Sequence, residues 1–88
     1  MRLLSDWRYI LLKSAERYLQ RMQPDDQIRV IEALDLLVED STNLDIKSLK
    51  GRPEKRLRIG KYRILFIEDQ ENRLYVVTTI APRGDVYK

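Results

Sequence analysis

Between Lys55 and Ala81 apolar and polar residues alternate in short runs, and this pattern constrains the chain more than any other feature. Leu57 and Ile59 alternate with Arg56 and Arg58, and Ile64 and Phe66 follow Arg63 in the same period of two. Successive side chains of a strand face opposite sides. Leu57, Ile59, Ile64 and Phe66 are therefore expected on one buried face, with Arg56, Arg58 and Arg63 on the other. Gly60-Lys61 suits a tight reversal and Asp69–Asn72 a second turn. The result is three strands, Lys55–Ile59, Tyr62–Glu68 and Arg73–Ala81. A two-residue turn would set Arg58 directly opposite Arg63. Like charges in that position are destabilising, and an anion seated over them would remove the penalty.

The segments before this sheet supply its cover. Trp7–Leu12 is short and rich in aromatic and β-branched residues, which predicts a strand. Ala15, Tyr18, Leu19 and Met22 follow helical spacing, with Ser14 as the expected N-cap. Pro24 opens a second helix, and Asp25 and Asp26 suit the positive end of its dipole. Its buried stripe is expected at Ile28, Ile31, Leu34 and Val38, widened by Val30, Ala33 and Leu37. Asp40–Asn43 ends it, and Asn43–Glu54 reads as a loop closed by Gly51-Arg52-Pro53. The expected class is α+β, in the order β-α-α-β-β-β, with one small antiparallel sheet and a helical hairpin on one face.

The chain's 88 residues support a single domain, 1–88, with one modest core. It has no Cys, which excludes disulfides, a thiol nucleophile and thiolate metal sites. It has no His, which removes the usual general base and the commonest zinc ligand. Any catalysis must then run on Arg, Lys, Tyr, Ser, Thr or carboxylates. No apolar run reaches the roughly 18 residues needed to span a bilayer, and the N-terminus does not read as a secretory signal. A soluble cytoplasmic protein is expected, with no membrane partner, no metal and no small-molecule cofactor. Asp25, Asp26 and Glu32 are explained by helix dipole and solvation, and Arg83-Gly84-Asp85 is too short a motif to signify adhesion.

Charge is divided unevenly. Residues 1–46 carry net −3 and residues 47–88 net +6. Lys47, Lys50, Arg52, Lys55, Arg56, Arg58, Lys61 and Arg63 stand against Glu54 alone, a net +7 within 17 residues. Such a concentration points to a polyanion, most simply nucleic acid. Beyond the last strand, Arg83 and the penultimate residue, Tyr87, add a cation and a stacking surface.

The strings RLRIGKYRILF and APRGDVYK, with LKSAERYLQRM and DIKSLKG ahead of them, resemble the RelE/ParE toxin superfamily, on its RelE side. The resemblance runs from about residue 7 to the end. It implies a small ribonuclease-like fold and a ribosome-dependent mRNA endonuclease. In that activity the mRNA's own 2′-hydroxyl attacks the adjacent phosphate in the ribosomal A site, without metal, blocking translation. It implies catalytic roles for four residues: Arg63 on the scissile phosphate, Arg56 beside the 2′-oxygen, Arg83 at the leaving group and Tyr87 on the substrate nucleotide. Glu54 stands where relatives carry a second basic residue, with Lys55 beside it. Lys47, Lys50, Arg52, Lys55, Arg58 and Lys61 are the expected RNA-binding residues. A cognate acidic antitoxin is the implied protein partner. Two alternatives share the fold: a ParE-like binder of DNA gyrase with no nuclease activity, and a catalytically inactive homologue.

Overall fold

A computed structural model describes residues 6–82. Seven elements follow in order: β1 (Arg8–Leu11), α1 (Lys13–Arg21), α2 (Pro24–Glu39), β2 (Asp45–Ser48), β3 (Lys55–Ile59), β4 (Tyr62–Asp69) and β5 (Leu74–Pro82). The fold is α+β, with a helical hairpin packed on one face of a small sheet, as the alternation and the helical spacings predict. The sheet order is β1-β5-β4-β3-β2.

Two features go beyond the expected order. β1 joins the sheet parallel to β5, while the other neighbours are antiparallel. A parallel neighbour needs a long crossover, and here the intervening helices and strands supply it. The stretch expected to be a loop also holds a strand: β2 pairs antiparallel with β3, setting Ile46 opposite Leu57 and Lys47 opposite Arg56. The β2–β3 connection turns through Gly51, whose φ of 73° suits glycine.

The core lies between the sheet and the helices. Leu57, Ile64, Phe66, Val77 and Ile80 from the sheet meet Ala15, Met22, Val30, Ala33, Leu34 and Leu37 from the helical side. On α2 the residues expected to widen the stripe are its centre. Ile28 is 55% exposed and Ile31 40% exposed. Apolar residues occur nearly all round this helix, so periodicity alone could not select the buried side; contact with the sheet selects Val30, Ala33, Leu34 and Leu37.

Ser14 has a different task from the expected cap. α1 begins at Lys13 after Leu12, with no side-chain cap. The Ser14 hydroxyl instead donates to the Thr78 carbonyl at 3.1 Å. Thr78 sits at a bulge: Leu65 pairs with Thr79, and the next β4 residue, Phe66, pairs with Val77. Bulges disrupt the ladder locally, and the serine hydroxyl bonds a carbonyl at this one. The same bulge lets both Phe66 and Val77 turn into the core.

Tyrosines tie the layers together. The Tyr62 hydroxyl donates to Asp26 Oδ2 at 2.8 Å, joining β4 to α2. That hydrogen bond raises the Tyr62 pKa above 10.0, with burial and the Asp26 charge adding to it. Burial likewise raises Tyr9 and Tyr75, with Asp35 and Glu68 contributing. All three hold their protons more tightly folded than unfolded. Their stabilisation is complete below the unfolded value of 10.0 and is lost as pH rises through the folded values. The melting temperature should therefore fall more steeply above pH 10 in the parent than in Tyr62→Phe. Parallel declines would show that the Tyr62–Asp26 contact is not part of the alkaline transition.

Candidate anion-binding face

The sheet carries its arginines where the alternation sends them. Arg58 stands directly opposite Arg63, and Arg56 opposite Leu65. Leu57 and Ile64, which alternate with these residues, are fully buried on the helix side. Arg56, Arg58, Arg63 and Leu65 thus share the face turned away from the helices. Lys47, paired with Arg56, lies on that face too. On the far side of Arg63 its partner in β5 is the small Ala81.

This face is not uniformly open to solvent. Arg56 is 5% exposed and Leu65 3%. Charged side chains are almost never buried to this degree without a partner, and Arg56 has one. Its Nη2 donates to Asp45 Oδ1 at 3.0 Å. The other carboxylate oxygen stands 3.9 Å from Arg58 Nε. Asp45 occupies β2 directly opposite Arg58, so it reaches Arg56 along the diagonal of the ladder. Sequence reasoning missed Asp45 because it placed this residue in a loop. The period-two run of Asp45 and Lys47 around Ile46 was the available signal.

The remaining predicted RNA-binding residues separate into three places. Lys50 and Arg52 are exposed in the β2–β3 connection. Arg52 makes a paired contact with Glu54, through Nε at 3.2 Å and Nη2 at 3.3 Å. Lys55 shares the helix-side face: it pairs with core residue Phe66 and its Nζ lies 3.1 Å from Glu68. Lys61 lies in the β3–β4 turn beside the Tyr62 ring. It lines a cleft of about 360 Å³ with Asp25, Asp26 and Arg29 of α2. The cleft lies on the helix side, away from the sheet arginines. Its acids make it a poor place for a phosphate. The structure therefore gathers Arg56, Arg58, Arg63 and Lys47, and separates Lys55 and Lys61 from them. Arg83 and Tyr87 lie outside the described residues.

Chemically, the face offers fixed guanidinium groups and one carboxylate. Guanidinium stays charged at any physiological pH and matches the geometry of phosphate oxygens. Among the described residues no group of three or more His, Cys, Asp or Glu is placed to hold a metal ion. No described helix is long and apolar enough to cross a membrane.

No family model matches the sequence, and no curated protein matches it. Solved structures do match the fold. A chain of the archaeal RelE–RelB complex from Pyrococcus horikoshii superposes with a TM-score of 0.77 at 22% identity, covering 90% of this chain and 97% of that one. A chain of the RelB–RelE antitoxin–toxin complex from Methanococcus jannaschii gives 0.72 at 20% identity, over 89% and 94%. A chain of the toxin–antitoxin complex RelBE2 from Mycobacterium tuberculosis gives 0.71 at 19%, over 88% and 98%. The fold is thus shared almost end to end with chains of RelE–RelB-type complexes.

Proposed function

We propose that the protein is the toxin of a toxin–antitoxin pair and acts as a ribosome-dependent mRNA endonuclease. The observation that carries this reading is the Arg58–Arg63 cross-strand pair, with Arg56 and Lys47 on the same face. A sheet that places like charges opposite each other is relieved by an anion bound over them. Fixed donors aimed at one phosphate are what transfer to a neighbouring hydroxyl requires. The shared fold with chains of RelE–RelB complexes supports the same reading, as do the strings RLRIGKYRILF and APRGDVYK.

In this reaction the 2′-oxygen attacks the adjacent phosphorus and the bond to the 5′-oxygen breaks. The products are a 2′,3′-cyclic phosphate and a 5′-hydroxyl. Arg63 and Arg58 hold the non-bridging oxygens as charge builds on them. Arg83 serves the leaving oxygen and Tyr87 stacks on the nucleotide. Arg56, with its Nη2 committed to Asp45, braces this cluster in the free protein.

The chain offers no histidine to exchange protons near pH 7. General acid–base help is worth about 10²–10⁴-fold, so cleavage of free RNA should be slow. In-line alignment imposed by a host can replace much of that factor, which fits dependence on the ribosome. The basic face also suits an acidic antitoxin segment as its neutralising partner.

Primer extension on mRNA during in vitro translation tests the reading. Discrete cuts within codons, with cyclic phosphate ends and only when ribosomes are present, are the expected result. Intact mRNA together with inhibited gyrase supercoiling would replace it with the ParE-like alternative. Intact mRNA and no growth arrest on expression would mark an inactive homologue.

A further inference from the structure

We propose that Asp45 is a resident counter-ion of the arginine face: a positioning residue that anchors Arg56 and sets how tightly the face holds a phosphate. The inference rests on the reading of this face as an RNA phosphate site. Its two contacts are unequal. One carboxylate oxygen accepts a hydrogen bond from Arg56 Nη2 at 3.0 Å; the other stands 3.9 Å from Arg58 Nε, beyond hydrogen-bond reach.

Burial is unequal as well. The Arg56 side chain is 7% exposed, that of Arg58 32% and that of Asp45 54%. Arg56 is an interior cation whose partner is an exterior anion. Without that partner it would be an unpaired buried charge, a strongly unfavourable state. Asp45 is therefore committed to Arg56. Arg58 receives its field without a hydrogen bond, and Arg58 Nε has no hydrogen-bond partner among the described residues. A phosphate arriving at Arg58, whose side chain is 32% exposed, meets Asp45 as the competing negative charge. The carboxylate thus does two things with opposite effects on binding: it keeps Arg56 in place, and it weakens the anion field over Arg58.

Two substitutions separate these effects. Asp45→Asn keeps an oxygen for Arg56 and removes the charge. Asp45→Glu keeps the charge and carries it one methylene closer to Arg58. Binding of a short single-stranded RNA oligonucleotide is measured between about 50 and 200 mM salt. Asp45→Asn should bind about fivefold tighter at low salt, and its log–log salt dependence should steepen by about 0.7. Asp45→Glu should bind more weakly than the parent. Turnover in the translation assay should nevertheless fall about tenfold in Asp45→Asn, because the Arg56 anchor is loosened.

A purely structural role predicts weaker binding in both variants, with parallel losses of melting temperature, and that result would overturn the inference. So would unchanged binding in both. Should Asp45→Asn fail to fold, Asp45→Glu decides alone: weaker RNA binding at an unchanged melting temperature supports the inference, and equal or tighter binding overturns it. A parent protein that binds RNA without salt dependence would fail the phosphate-site reading itself, and the inference with it.

Discussion

Arg63→Ala is expected to lower mRNA cleavage by about 10²–10³-fold, the usual loss when one fixed donor to a developing oxyanion is removed. Arg63 is on β4 between β3 and β5, with Arg58 and Ala81 as its cross-strand neighbours. It is held by ladders on both sides, so its backbone position survives the substitution. The loss should therefore appear in turnover, with a near-native melting temperature. Arg58→Gln is the companion variant. It removes one of two like charges facing each other, an arrangement that costs about 0.2–1 kcal/mol. It should weaken RNA binding while leaving stability equal or higher. Cleavage at the parent rate in both variants would reject the arginine face as the reaction site. Lys55→Ala, on the opposite face beside Glu68, serves as the control that leaves cleavage intact.

The second large effect concerns stability. Phe66→Ala should destabilise the fold by about 3–5 kcal/mol, the range for emptying a well-packed aromatic site. Phe66 is fully buried, lies among the core residues on both sides of the sheet–helix interface and meets the Tyr75 ring edge-on at 5.7 Å. Domains of this size hold about 5–15 kcal/mol in total. In a domain of 60–100 residues each kcal/mol shifts the melting temperature by about 4–8 °C, so a fall of more than about 12 °C is expected. Ile28→Ala on the exposed side of α2 should change stability by no more than about 0.5 kcal/mol. A large loss from Ile28→Ala and a small one from Phe66→Ala would mean that the buried side of the helix is misplaced. Both numbers come from thermal or urea unfolding followed by circular dichroism.

Much of the site was legible in the sequence, for a definite reason. A period of two is a local property, and so is a two-residue turn. Together they put Arg56, Arg58 and Arg63 on one face and set Arg58 against Arg63, as the pairing shows. The same arithmetic assigns Lys55 to the face of Leu57. Grouping it with the expected RNA-binding residues follows the charge run rather than that parity. Lys61 was a similar case: a residue within the turn belongs to neither run of alternation, and it lies over Tyr62 beside α2.

What the sequence determined alone is therefore the hairpin geometry, the two helices and the side of the sheet that collects guanidinium groups, because each depends on neighbours a few residues apart. The tertiary structure decided the partners that lie far along the chain. It placed β2 beside β3, and with it brought Asp45 to Arg56. It paired β1 in parallel with β5 and inserted the bulge that Ser14 closes. It also chose which side of α2 to bury, since apolar residues are spread around most of that helix. A four-residue strand of mixed charge carries too weak a local preference to announce itself, and its place is set by the ladder and core it completes.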